Sequence, residues 1–128
     1  MNDRYLYRAK RKNWRELPKE KWWVEGYYAY MQPFHYIMPK DNFDSWIEID
    51  EKTLCACTGL KDKNGNLIWE NDIVSANGTL YVCRFDEDNF EWEFQNYEET
   101  IGICCFHSSD IGIVGNAIDN QELLEVGE

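Results

Sequence analysis

Short strand-forming runs separated by turn-forming residues are the feature that most constrains how this 128-residue chain can fold. The clearest example is Asn77-Gly78, which separates two such runs, residues 72–76 and 79–85. Asn-Gly favours a two-residue hairpin turn because both residues enter positive φ at little cost. We therefore predict a β-hairpin here. The same alternation of runs and turns along the chain predicts a mainly β protein.

Other segments extend this pattern. Residues 90–94 alternate between aromatic and acidic side chains, as in a strand with one buried and one solvated face. Residues 21–30 are rich in Trp, Tyr and Val, and Gly26 in their middle predicts a bulge or sharp bend. Only residues 119–125 suggest a helix, with Asp119 as its N-cap. The predicted fold is a β-barrel or sandwich of short antiparallel strands with a short C-terminal helix.

Composition bounds the number of domains and the compartment. A chain of this length with 44% hydrophobic residues can build one core, so we assign residues 1–128 to a single domain. It contains neither an apolar run of the roughly 20 residues that cross a bilayer nor a signal-peptide pattern at its start. The five cysteines then indicate reduced thiols. We expect a cytoplasmic protein without membrane contact.

Charge is distributed unevenly along the chain. Residues 1–40 carry 9 basic and 4 acidic side chains, a net +5, whereas residues 41–128 carry 4 and 20, a net −16. An acidic body repels the nucleic-acid backbone, which Lys and Arg must neutralise. We therefore expect no nucleic-acid partner except through the basic N-terminal segment, where Tyr5, Tyr7 and Trp14 alternate with basic residues.

Two pairs of side chains have the residue types for catalysis, although neither lies in a recognised signature. Cys105 and His107 could supply a nucleophile and its base. Glu70 and Asp72 lie on one face of an extended segment and could act as acid and base. We favour a structural interpretation, in which Glu70-Asn71-Asp72 forms a turn whose carboxylates accept backbone N–H bonds.

The spacing of potential ligands argues against a bound metal or cofactor. The cysteines occur as C-x-C, an isolated Cys83 and an adjacent pair, which is not the spacing of a zinc site. The acidic turns that begin at Asp62 and Asp86 lack the glycine and glutamate positions of a calcium-binding EF-hand loop. Phosphate-binding glycine motifs are also lacking in the sequence. We therefore expect no metal and no cofactor.

The stretch from Thr58 to Val74, TGLKDKNGNLIWENDIV, closely resembles the signature of the YopX-like family of bacteriophages and prophages. Gly115-Asn116 and the following Glu122-Leu123-Leu124 resemble its C-terminal part. The N-terminal runs Tyr7-Arg8-Ala9 and Trp23-Val24-Glu25-Gly26-Tyr27 resemble the opening of the family, so the resemblance spans nearly the whole chain. The matching residues are mostly turn formers and strand residues, and the motif positions are Thr58, Gly59, Leu60, Asp62, Asn64, Gly65, Glu70, Asn71, Asp72, Gly115 and Asn116.

The resemblance implies a mostly β fold, assigns no catalytic residue and does not specify a biochemical activity. Because the family accepts Gly or Asn at the position of Asn71, we predict a left-handed or turn conformation there. The implied protein is a phage accessory protein in the bacterial cytoplasm, and we expect it to be a non-enzymatic module that contacts an unidentified host or phage protein. The alternatives are a small hydrolase built on Cys105/His107 or Glu70/Asp72, and an acidic DNA mimic that inhibits a host nucleic-acid enzyme.

Aromatic residues are concentrated in the segment from Trp22 to Tyr36. A domain of this size has limited core volume, so some of these rings must lie at the surface. Exposed aromatic clusters are typical of interfaces. We therefore predict a homo-oligomer whose contacts include this segment.

Overall fold

The computed structural model describes residues 5–42, 44–103 and 106–124 of the chain. The protein is mainly β and contains a six-stranded and a five-stranded antiparallel sheet, as the sequence predicted. In the described residues both sheets end in edge strands, and neither closes into a barrel. The chain divides into two compact units, residues 1–57 and 58–128. The assignment of the whole chain to one domain stays a prediction.

The first unit is built on five adjacent strands of the six-stranded sheet, in the order β4-β3-β2-β1-β5. One side of this sheet packs into a core of Ala9, Val24, Ile37 and Ile49. Three short 3₁₀ helices, Trp14–Glu16, Lys19–Lys21 and Glu51–Thr53, occupy the connections. The strands are β1 (Tyr7–Lys10), β2 (Trp23–Met31), β3 (Phe34–Pro39), β4 (Ile47–Glu48) and β5 (Cys55–Lys61), the last of which continues into the second unit.

Gly26 does not produce the predicted bulge. It pairs in regular register with Tyr7 of β1 on one side and with Pro39 of β3 on the other, so the prediction of a bulge is wrong, and the alternative of a sharp bend stays a prediction. Glycine is required here for a different reason, a close approach of neighbouring backbone. A Cβ atom on Gly26 would lie 2.0 Å from the carbonyl oxygen of Met38 and 2.8 Å from the Cα of Pro39.

The second unit contains the rest of β5, which is followed in the sheet by β6, and the whole five-stranded sheet in the order β10-β9-β8-β7-β11. Its main core includes Ile68, Val74, Tyr81, Cys83 and Phe94. The strands are β6 (Leu67–Trp69), β7 (Asp72–Ala76), β8 (Thr79–Asp86), β9 (Glu91–Gln95), β10 (Thr100–Gly102) and β11 (Ile111–Asn116).

The hairpin predicted around Asn77-Gly78 is confirmed. Ala76 pairs with Thr79, and Asn77 and Gly78 have φ values of 54° and 84°. Two consecutive positive φ values match the right-handed twist of the two strands that the turn connects. The sequence therefore located both strands and their turn from a single dipeptide and its flanking apolar runs.

Helical structure at the C-terminus is shorter than predicted. One 3₁₀ turn, Gln121–Leu124, replaces the expected helix, and Glu125 lies outside the described residues. Asp119 is not its N-cap, because the Asp119 backbone N–H donates to Asn116 Oδ1 at 2.8 Å and so belongs to the turn after β11. Across the described parts of the chain, the helical segments are too short or too polar to cross a membrane.

We expect Gly26→Ala to lower the free energy of unfolding by more than about 3 kcal/mol, because the new methyl group must displace backbone rather than a side chain. Gly78→Ala is the matched control. Its Cβ would meet nothing within 4 Å, and only the φ of 84° opposes it. That strain costs about 1 kcal/mol. Urea unfolding of both variants checks the difference, and equal losses would contradict the close-approach explanation.

Candidate functional site

The turn that follows β5 is organised by the buried side chain of Asp62, which is 5% exposed. Asp62 Oδ1 accepts the backbone N–H groups of Asn64 and Asn66, each at 2.9 Å. Asp62 Oδ2 accepts the backbone N–H of Ile113 in β11 at 3.1 Å. Gly65 completes the turn at a φ of 83°. One carboxylate therefore both shapes the turn and joins it to a strand 51 residues further along the chain.

Opposing effects act on the acidity of Asp62. Burial alone would raise the pKa of this carboxyl, but the N–H donors of Asn66, Ile113 and Asn64, together with the nearby charge of Lys63, lower it by more. The net result is a pKa below the ordinary value for aspartate. The carboxylate is therefore a stable anion held by the backbone, which suits a structural group and not a proton donor.

We expect Asp62→Asn to lower the free energy of unfolding by about 2 kcal/mol at neutral pH, because an amide group cannot accept all three N–H bonds as a carboxylate does. Because the pKa of Asp62 is lower in the folded than in the unfolded protein, its ionised carboxylate adds to the free energy of unfolding at pH values above the unfolded-state pKa of about 3.9. This contribution is lost as the pH falls through the lower folded-state pKa. The difference between wild type and variant should therefore shrink in acid.

Urea unfolding at neutral pH and in the acid range checks this prediction. Asp41→Asn, at an exposed position, is the control and should change little at either pH. A difference between wild type and Asp62→Asn that stays constant with pH would contradict the proposed linkage.

The adjacent motif Glu70-Asn71-Asp72 forms a tight turn between β6 and β7. Asp72 is 1% exposed, and its Oδ2 accepts the backbone N–H of Trp69 at 2.7 Å. Asn71 has a φ of 74°, which confirms the predicted left-handed conformation. The turn interpretation is thus confirmed for Asp72, whose buried carboxylate is bonded to backbone at the start of a strand. Glu70 is half-buried beside it.

Asn71 connects this turn to the rest of the second unit. Its backbone N–H donates to the carbonyl of Cys83 at 2.9 Å, and its own carbonyl accepts the N–H of Ala117 at 2.7 Å. The Arg84 guanidinium donates to Asn71 Oδ1. The backbone at this position is therefore held from two sides, and its positive φ cannot relax without loss of those bonds.

We expect Asn71→Gly to change the free energy of unfolding by less than about 1 kcal/mol, since glycine adopts positive φ freely, which offsets the loss of the side-chain bond to Arg84. Asn71→Val should cost about 2 kcal/mol or more, because a β-branched residue at positive φ is strained. Ser75→Val, in the ordinary extended backbone of β7, is the control for valine itself. Equal urea midpoints for the glycine and valine variants would show that the conformation is not the constraint.

The C-terminal part of the motif forms another side-chain-supported turn. Asn116 Oδ1 accepts the N–H groups of Ile118 and Asp119 at 3.0 and 2.8 Å. The Asn116 N–H in turn donates to Asn120 Oδ1 at 3.1 Å, and a Cβ on Gly115 would lie 2.7 Å from that same oxygen. A further motif residue, Thr58, donates its hydroxyl to the carbonyl of Ile68 at 2.7 Å. These polar motif residues therefore serve the backbone.

The predicted hydrolase pair is only partly described. His107 is exposed, and its carbonyl accepts the N–H of Asp110 in a 3₁₀ turn. Cys105 lies outside the described residues, so the Cys105/His107 pair stays a prediction. Three other cysteines, Cys55, Cys57 and Cys83, are buried.

The structure also brings together a hydrogen-bonded chain that sequence reasoning missed. His35 Nδ1 lies 2.5 Å from the Tyr28 hydroxyl, and His35 Nε2 lies 2.8 Å from Glu51 Oε2. Burial, followed by the charge of Glu51, raises the pKa of Tyr28, which keeps the phenol protonated. The phenol can then donate to Nδ1 in the tautomer of His35 whose Nε2–H donates to Glu51. Sequence spacing gives no signal for this hydrogen-bonded chain, because it forms only when β2 pairs with β3 and the Glu51–Thr53 turn lies beside them.

His35 also lines a cleft of about 470 Å³ in the first unit. Charged residues of both signs, including Arg15, Asp50 and Lys52, share this lining with the apolar ring of Phe34. Both ring nitrogens of His35 already have partners within the protein. The histidine therefore links β2, β3 and the Glu51–Thr53 turn, and it is not free to act as a base without disruption of these bonds.

Cationic side chains and tryptophan rings contact one another in the basic N-terminal segment. Lys10 is 2% exposed, and its Nζ lies 3.7 Å from the ring centroid of Trp14 and 4.3 Å from that of Trp22. The Arg15 guanidinium covers Trp14 at 4.3 Å, and Lys19 lies 5.7 Å from Trp22. A nucleic-acid base would have to displace these cations in order to stack. The exposed Arg15 and Lys19 are therefore more accessible than the half-buried rings of Trp14 and Trp22, whereas Lys10 is buried.

Three carboxylates gather on the β8–β9 hairpin of the second unit. The ligand atoms of Asp86, Glu91 and Glu93 lie within 4.8 Å of one another, an arrangement that could hold a hard cation. Hydrogen bonds from Asn89 and Asp88 lower the pKa of Asp86. The sequence search for loop-type calcium motifs missed this group because it is formed by cross-strand pairing of Asp86 with Glu91. Exposed acidic groups commonly cluster in this way without an ion.

Large apolar side chains are exposed on the outer side of the first sheet, and we call this surface the aromatic face. It comprises Met31, Phe34, Tyr36 and Trp46, of which Met31 is 58%, Phe34 48% and Trp46 47% exposed. The rings of Phe34 and Tyr36 are 6.4 Å apart, and those of Tyr36 and Trp46 are 5.6 Å apart. Strand pairing places Met31 opposite Phe34. The four side chains therefore form a continuous patch.

The fold and these turns define a small, mainly β protein in which the polar residues of the motif hold separate backbone segments together. The sequence model of one family, described as YopX protein, matches residues 6–125, which is nearly the whole chain. The chain therefore belongs to the YopX family. No curated protein matches it.

Proposed function

We propose that this chain is a phage- or prophage-encoded accessory protein of the bacterial cytoplasm that acts as a non-enzymatic module for binding another protein. The aromatic face is the observation that carries the proposal. Its exposed Met31, Phe34 and Trp46 form one patch, whereas isolated exposed apolar residues are ordinary on soluble proteins. Large aromatic side chains in such patches are enriched at the centres of protein interfaces.

The state of the polar motif residues supports a non-enzymatic role. An active site needs titratable groups that converge on a substrate. Here the carboxylates of Asp62 and Asp72 are buried and accept backbone N–H bonds, and His35 has partners at both ring nitrogens. These groups support turns and strand connections, which is consistent with a role that depends on an exposed surface.

An acidic DNA mimic is the second candidate, and the charge of the second unit favours it. Residues 58–128 carry 15 acidic and 3 basic side chains, a net −12. Seven of the acidic residues lie within residues 86–99, which contain no Lys or Arg. Phe90 lies in the connection of the β8–β9 hairpin, within this acidic stretch, and is 82% exposed. A mimic would contact its target through this surface and not through the aromatic face.

Site-specific photocrosslinking distinguishes the two candidates. A benzoylphenylalanine in place of Phe34 reports on the aromatic face, and the same residue in place of Phe90 reports on the acidic hairpin. In bacterial cells that express either protein, we expect a discrete adduct from position 34 that disappears when Trp46→Ser is added.

An adduct from position 90 alone would favour the acidic mimic. No discrete adduct from position 34 would contradict the proposed module. Far-UV circular dichroism of each purified variant confirms that the strands are retained, so that loss of an adduct reports on the surface.

A further inference from the structure

We infer that a second copy of this chain covers the aromatic face, so that the protein self-associates through the outer side of β2, β3 and β4. This inference deepens the proposed function, on which it rests, because it names the partner of that surface. Three observations carry it. They are the composition of the two sides of the sheet, the distribution of charge along the chain, and the contacts that Trp22 and Tyr28 make within the first unit.

The two sides of the sheet differ in what they pack against. On the inner side, Ile37 is completely buried in the core. On the outer side, Ala29 pairs with Tyr36 and Met31 pairs with Phe34, so apolar side chains stand where a solvated sheet face normally carries polar ones. An antiparallel sheet with apolar residues on both sides requires a cover for the second side.

The charges around this face are compatible with a second copy as its cover. In a two-fold contact each copy presents the same surface, so a surface of one sign repels itself. The centre of the aromatic face is uncharged. Its border has both signs, since Glu48 pairs with Tyr36 and Glu25 lies 3.8 Å from Lys40 in an ion pair. The same residues from two copies can therefore meet without a net repulsion.

The rest of the molecule makes this location the favourable one for self-association. Residues 1–57 carry 10 basic and 9 acidic side chains, a net +1, whereas residues 58–128 carry a net −12. Two copies with a formal charge of −11 each repel least when they meet through the nearly neutral unit. Phe90 and Tyr97 are more exposed, at 82% each, but they lie within the acidic stretch.

The structure also narrows the surface that the sequence predicted. Within the segment from Trp22 to Tyr36, the Trp22 ring contacts Lys10, and Tyr28 bonds to His35. These rings serve the first unit internally. On the outer side of the sheet the segment contributes Met31 and Phe34, whereas Tyr30, which is 53% exposed, lies on the other side against His35. Trp46, which lies outside the segment, joins the same patch through its ring contact with Tyr36.

Light scattering and sedimentation at increasing protein concentration test the inference. We expect the mass to rise from 15.3 kDa towards twice that value in the tens of micromolar range. High salt should not reverse the rise, because the contact is apolar and salt screens the repulsion between copies. The double variant Phe34→Ser/Trp46→Ser should stay monomeric, with a dissociation constant raised at least tenfold. Phe90→Ser is the matched control and should associate as wild type does.

Loss of association is interpretable only in a folded protein, so each variant is checked by circular dichroism, and Trp46→Gln serves as a milder second variant. A wild-type protein that stays monomeric would overturn the inference, as would a dimer that both face variants leave intact. In either case the proposed protein-binding function would still be supported if position 34 formed a discrete adduct with a different protein. The absence of both self-association and any adduct would contradict both proposals.

Discussion

Carboxylates that accept backbone N–H bonds are the interaction on which the second unit depends. Asp62 joins the turn after β5 to β11, and Asp72 fixes the turn that starts β7. Both side chains are almost completely buried. A buried charge is costly unless it is hydrogen-bonded, so each carboxylate remains stable only while its turn is formed. This reciprocity makes the turns rigid and sets the positions of the strands that they connect.

The first unit differs from the second because many large aromatic side chains lie around its small sheet. The core side takes aliphatic residues, including Ile37 and Ile49. The tryptophans near the chain's basic segment pack around the buried Lys10, which orders a connection that has little regular structure of its own. Cation–π contacts favour the placement of a lysine against apolar rings. The aromatic side chains that belong neither to this core nor to the contacts around Lys10 include those of the aromatic face.

These arrangements explain why a family signature can be long and yet indicate no chemistry. Positions such as Asn71 and Gly115 are restricted by backbone conformation and close approach, so they constrain sequence wherever the fold is kept. The surfaces that would contact a partner, such as Phe34 and Trp46, lie outside this signature. A module of this kind can retain one scaffold while its exposed side chains determine what it binds.

Part of the local structure of this protein could be predicted from its sequence. Asn77-Gly78 predicted a hairpin because such a turn depends on the intrinsic conformational preferences of adjacent residues, and the resemblance to the family predicted the positive φ of Asn71. The tertiary structure alone decided three features. It showed that Gly26 permits a close backbone approach rather than a bulge, that His35 meets Glu51, and that Trp46 joins Phe34 on one surface. Each of these depends on which strands pair and in which register, and pairing between distant segments leaves no mark in the spacing of neighbouring residues.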